Sequence, residues 1–227
     1  MDYPYSEQAP ADTTPADVVQ RVAAALDARR WTEVAALVDP RDIERFAAEQ
    51  VAELRDLETG RRVSDAMRGR PGFSRESLER FAAHEEETRK ALRARFADTY
   101  GGRDTSEELR QLAPEALFLL WLAASDPVAQ VRRSVAQVER LHPEFAGSPV
   151  QAAPSFRREI VGTEYNGAVH ARVKYLEWIG PPGGQEEGEA VLRDVTLRRV
   201  RGEWRVAVDA ELMGHASLWV GVEPAQG

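Results

Sequence analysis

One histidine, two acidic groups and a set of aromatic residues are the parts of this sequence that could do chemistry. His170 sits in the alternating stretch NGAVHARVKYLEWIG, and an imidazole can serve as acid, base or metal ligand near neutral pH. On a strand its same-side neighbours are Arg172 and Lys174, a poor setting for a general base. No second histidine or carboxylate stands two residues along to complete a metal site, so His170 is expected on a solvated or dimer-forming face. His84-Glu85-Glu86-Glu87 shares the opening of a zinc-protease helix, but Thr88 replaces the second histidine, which leaves a solvated charged helix face. Asp209 and Glu211 lie two apart, share a side of a strand, and could hold one proton between them. On an outer face they would instead pair with Arg193, Arg198 or Arg205. Tyr165, Tyr175, Trp178, Trp204 and Trp219 suit the wall of an apolar pocket, and core packing would produce the same residues.

Other chemistries have no footing. The 227 residues contain no cysteine, which removes disulfides, thiolate catalysis and cysteine-ligated metal. No phosphate-binding glycine motif, nucleophile elbow or paired HxxxH occurs, so no cofactor and no metal are expected. The net charge of −8, without a long basic run, gives no reason to expect nucleic acid as a partner. The longest apolar run, Ala116 to Ala124, is about half of what a bilayer requires, so no membrane span is expected. The N-terminal MDYPYSEQAPADTTPAD lacks the basic and apolar parts of a secretion signal; a flexible tail over residues 1–13 and a cytoplasmic protein are expected.

The elements that must position these residues change character along the chain. Thr14, Pro15 and Asp17 carry the cap, first-turn and helix-dipole signals of a helix whose stripe is Val18, Val19, Val22, Ala23 and Leu26. A short helix with Trp31, Val34, Ala35, Leu37 and Val38 follows. Asp39-Pro40 then opens a third helix with Ile43, Phe46, Ala47, Val51 and Leu54. Residues 59–73 read as a connection. Ser74 caps a helix with Leu78, Phe81, Ala82, Leu92 and Phe96 on one side, a segment around 114–124 is apolar nearly all round, and Asp126-Pro127 opens an amphipathic helix from Val128 to Leu141. Beyond His142-Pro143 the apolar period falls to two. Strands are expected over 157–165, 168–178, 190–200 and 203–212, with reversals at Asn166-Gly167 and Arg201-Gly202 and a long polar loop, GPPGGQEEGE, between the middle pair. In the second strand Val169, Ala171, Val173 and Tyr175 share the core face; in the last, Trp204, Val206, Val208 and Ala210 oppose Arg205, Ala207 and Asp209.

Helices followed by a strand meander imply an α+β fold, with N-terminal helices packed on a curved antiparallel sheet of about four strands and a helical insertion in the middle. Three stretches, AALDARRWTEVAALVDPRDIERF, EYNGAVHARVKYLEW and VTLRRVRGEWRVAVD, resemble the opening helices and paired long strands of the nuclear transport factor 2-like, or cystatin-like cone, superfamily. That resemblance implies a single cone-like domain over 14–222, an insertion at about 60–142, and a short tail at 223–227. It also implies a pocket for a small apolar ligand and a homodimer formed through the outer sheet face. The superfamily's catalytic aspartate or histidine–aspartate pair has no residue-by-residue match here. The expectation is therefore a domain that binds a small apolar ligand or a protein partner. The alternatives are a cofactor-independent isomerase, cyclase or dehydratase using Asp209, Glu211 or a tyrosine, and a helical interaction adaptor.

Overall fold

A computed structural model describes residues 13–60, 62–67, 72, 74–126, 129, 133–136, 139–140, 142–145, 155–180 and 190–208. In chain order the elements are α1 (Pro15–Asp27), α2 (Trp31–Leu37), α3 (Pro40–Thr59), α4 (Val63–Met67), α5 (Arg75–Thr99), α6 (Ser106–Arg110), α7 (Pro114–Ser125), a 3-10 turn (Pro143–Phe145), β1 (Ser155–Asn166), β2 (His170–Gly180), β3 (Ala190–Val200) and β4 (Glu203–Val206). The fold is α+β, with helices preceding one antiparallel sheet of order β1-β2-β3-β4. The chain divides into two compact units, one made of residues up to Asp42 together with those from Asp126 onward, the other of Ile43–Ser125.

In the first unit α1 begins where local chemistry dictates. Thr14 Oγ1 accepts the Asp17 N–H at 3.2 Å, Asp17 Oδ2 accepts the Thr14 N–H at 2.9 Å, and Pro15 occupies the first turn. This reciprocal cap satisfies two amides that no helix carbonyl can reach, and loss of such a cap costs about 1 kcal/mol. Val18, Val19, Val22 and Ala25 are buried, whereas Leu26, expected in the stripe, is half-buried. A stripe advancing by 3.6 residues passes through Ala25 in its place. The helix lies against β1, β2 and β4. The α2–α3 junction is stitched to the sheet edge: Val38 forms a parallel bridge with Val206, and Asp39 N–H donates to Val206 O at 2.8 Å.

The core face of the sheet follows the two-residue rhythm. Ala171, Val173 and Tyr175 are buried, and Leu197 and Val195 stand opposite the first two on β3. On β1 the register shifts between Ile160 and Gly162, so Arg158 and Ile160 before the bulge and Thr163 and Tyr165 after it oppose core-face residues of β2. Val169, expected on the core face, lies in the turn and is half exposed. The reason is the hairpin: Asn166 still pairs with His170, Gly167 takes a positive φ, and the reversal uses three residues where two were expected. The second hairpin matches its sequence signal, since Val200 pairs with Glu203 and both Arg201 and Gly202 adopt positive φ. β4 ends at Val206, short of the expected 212, and residues from 209 onward lie outside the described ones. The Val208 N–H donates to Asp42 Oδ2 at 3.0 Å instead of to a strand carbonyl, and Ala207, expected to face outward, is buried beside it.

The second unit is helical and begins earlier than the expected boundary near residue 60. Phe46 is the reason: its ring meets Phe118 edge-on at 5.5 Å and Trp121 at 5.1 Å, so the body of α3 shares a core with α7. Leu54, Leu109, Leu117 and Leu122 complete that core. The stretch read as a connection contains α4, which no periodicity announces, because its first amides are held from outside: Glu85 accepts from Val63 N at 2.7 Å, Ser64 N at 3.1 Å and Ser64 Oγ at 2.7 Å. On α5 only Phe96 is buried, while Leu78, Ala82 and Leu92 are half-buried and Phe81 is exposed. The expected apolar side is thus largely wet, and charge pairs such as Arg75–Glu79 at one-turn spacing support that helix. The amphipathic helix expected from Val128 to Leu141 falls largely outside the described residues.

Candidate functional site

The sheet places charged groups where its rhythm calls for apolar ones. Glu177 continues the core-face series of Ala171, Val173 and Tyr175 and is 1% exposed. Arg158, its direct partner on β1, donates through Nε to Glu177 Oε1 at 2.9 Å and through Nη1 to Asp27 Oδ1 at 2.9 Å, tying the last residue of α1 to the sheet. Arg193 Nε lies 3.6 Å from Glu177 Oε2, close enough for an ion pair but too far for a hydrogen bond, and that buried nitrogen has no hydrogen-bond partner among the described residues. Burial alone would pull the Arg158 guanidinium down from its usual range, but the Asp27 and Glu177 carboxylates outweigh it and hold it above.

A second charged cluster sits at the α2–α3 junction. Asp39 and Asp42 are both buried; Asp39 Oδ1 accepts the Arg41 N–H at 3.0 Å, and Asp42 accepts from Arg198 Nη1 at 3.0 Å and from Val208 N. Burial works against the Arg198 charge, and the two aspartates overcome it and raise its pKa. These contacts fix the sheet edge. Arg198, Arg193 and Arg205 have carboxylate partners in Asp42, Glu177 and Glu203, and the described residues do not bear on the expected pairing with Asp209 or Glu211. Asp209 and Glu211 lie outside the described residues.

The residues proposed from sequence are not gathered around one cavity. His170 is exposed and lies opposite Asn166 and Arg198 on the sheet face that α1 leaves open. Tyr175 is buried in the core. Trp178 is on the opposite face from Tyr175, half-buried beneath Arg157, whose guanidinium carbon sits 4.8 Å from the ring centre. Tyr165 and Trp204 meet edge-on at 6.1 Å at the hairpin end, where Tyr165 is 60% exposed. Trp219 lies outside the described residues.

Open grooves occur in the helical unit. One of about 400 Å³ runs between the C-terminal half of α3 and α5, over Leu57, Ala94 and Ala97, with Lys90, Arg93 and Asp104 among its polar walls. The helix ends that shape it are well tied. Arg89 donates to Leu57 O and Gly60 O at 2.9 and 2.8 Å, closing the last turn of α3, and Glu58 accepts from Ser106 N and Oγ at 2.8 and 2.6 Å. Those Ser106 bonds hold the Glu58 carboxyl below the usual range, and Ser64 does the same for Glu85. A smaller groove of about 170 Å³ is lined by Phe96, Tyr100 and Trp121, and Tyr100 donates its hydroxyl to Gln50 Oε1 at 2.8 Å. Burial, and then the Glu53 charge, push the Tyr100 hydroxyl far above its usual range, so it acts there as a fixed donor. Phe96, Tyr100 and Trp121 were not foreseen as a wall, because ordinary helical spacing carries them. Glu177 could have been found, since it breaks an apolar two-residue series. Among the described residues, no group of three or more His, Cys, Asp and Glu side chains is arranged to hold a metal. Among the same residues, no helix is long and apolar enough to cross a membrane.

The chain is an α+β protein with a helical unit inserted ahead of its sheet. No family model, curated protein or solved structure matches it.

Proposed function

We propose that this protein is a binding protein of the cone-fold type whose sheet pairs with a second copy of itself and whose chemistry is recognition, not proton transfer. The order of elements and the seating of α1 on β1, β2 and β4 support the fold reading. The observation that carries the pairing is Leu192. It is 60% exposed on the sheet face that α1 leaves open, directly opposite Leu176 and one pair away from Trp178–Ala190. The rest of that face alternates in sign, with Lys174 bonded to Glu164 and Arg172 beside Asp194. A two-fold mate would thus meet apolar surface and mixed charge, without a block of one sign. The recognition reading is supported by the way Glu177, Asp39 and Asp42 are tied to arginines and backbone amides.

Light scattering on the size-fractionated protein tests the pairing. Wild type should have the mass of a dimer at micromolar concentration, and Leu192→Glu, which sets two carboxylates against each other across the axis, that of a monomer. Wild type at monomer mass would overturn the proposal.

A further inference from the structure

We infer that the α3–α5 groove is a binding site for a small organic anion with an apolar body, a carboxylate or a phosphate monoester. The inference rests on the binding-protein reading and names its ligand class. The volume, about 400 Å³, lies in the range of small-molecule sites. Leu57, Ala94 and Ala97 give an apolar floor, and the two alanines leave room because they carry no long side chain.

The charges of the wall are unevenly satisfied. Its acids are engaged: Glu58 by Ser106, Glu86 by Arg62 at 2.5 Å, and Asp104 only loosely by Arg93. Arg89 is spent on the α3 carbonyls. Arg93 is not fully used: its side chain is 41% exposed, and its Nη2 reaches Asp104 O and Oδ2 only at 3.4 Å each. Lys90 lines the groove three residues earlier on α5, hence on the same helix face, and has no carboxylate partner among the described residues. With Arg62, Arg89, Lys90 and Arg93 against Glu58, Glu86 and Asp104, the wall has one more cation than anions inside a chain of net charge −8. An anion seated between Lys90 and Arg93 would give the outer guanidinium nitrogens a closer acceptor than Asp104 and pair the ammonium, and its apolar part would cover the alanine floor. A neutral ligand of the same shape would gain only the floor.

The test uses octanoate and octanol, which share a chain and differ in charge, titrated into the full chain by calorimetry, with amide shifts of labelled protein locating the site. Octanoate should bind with shifts at residues 57–60 and 90–97, and octanol at least tenfold more weakly. Removing a charge-assisted hydrogen bond by Arg93→Gln should weaken octanoate about tenfold or more, and Lys90→Gln, at an exposed position that does not support the fold, several-fold. Arg201→Gln, the same charge change in the β3–β4 turn, should leave binding unchanged. Octanol binding as tightly as octanoate, equal losses in Lys90→Gln and Arg201→Gln, shifts located elsewhere, or no octanoate binding at millimolar concentration would each overturn the inference. The dimer is read separately: a dimer that binds no octanoate sinks the anion site alone, and a monomer that binds it sinks the pairing alone.

Discussion

Arg158 donates to Glu177 at 2.9 Å on the covered face of the sheet, a charge pair in a position that the strand rhythm assigns to core. Removing one partner of such a pair leaves the other charged and desolvated, which typically costs 3–5 kcal/mol. Glu177→Ala is therefore expected to lower stability by about 3 kcal/mol in urea unfolding. Glu159→Gln, which breaks an exposed contact with Arg157 on the same strand, should change it by less than about 1 kcal/mol. Equal effects of the two substitutions would mean that the Glu177 cluster is solvated in solution.

The bond from Val208 N to Asp42 Oδ2 holds the chain as it leaves β4. Asp42→Ala strands that buried amide and removes the closest carboxylate of Arg198, and an unsatisfied buried donor costs roughly 1–3 kcal/mol. Hydrogen exchange gives the sharper readout. The Val208 amide should lose protection in the variant while amides in the middle of β2 keep theirs; unchanged Val208 exchange would show that the bond is not what anchors this segment.

Acid should weaken the helical unit in a defined direction. Hydrogen bonds from Ser106 and Ser64 lower the Glu58 and Glu85 carboxyls from their ordinary value of 4.5. A carboxyl lowered by folding contributes stability that is fully present above its unfolded value and is lost as pH falls through its folded one. Thermal unfolding followed by circular dichroism should accordingly be nearly flat from neutrality to about pH 5.5 and fall below about pH 4.5. The double variant Ser64→Ala/Ser106→Ala should show a shallower decline. Stability that rises on acidification would contradict these assignments.

Much of the architecture was legible in the sequence because it depends on neighbours a few residues apart. The Thr14–Asp17 cap, the proline starts of α1 and α3, the Ser74 cap and the Arg201-Gly202 reversal are contacts or backbone states set within a single turn of chain. The rhythm of Ala171, Val173 and Tyr175 likewise fixed which sheet face is covered and sent His170 to the other. What tertiary structure decided lies in contacts between distant segments. α4 exists because Glu85, 22 residues away from Val63, supplies its cap, and the body of α3 shares a core with α7 because Phe46 finds Phe118 and Trp121. Glu177 is tolerated in the core because Arg158 reaches it from the neighbouring strand, and the α3–α5 groove exists because Arg89 and Glu58 tie together helix ends far apart in sequence. Local chemistry thus determines which elements form, and the satisfaction of buried charge and free helix ends determines how they assemble, a condition no short window of sequence contains.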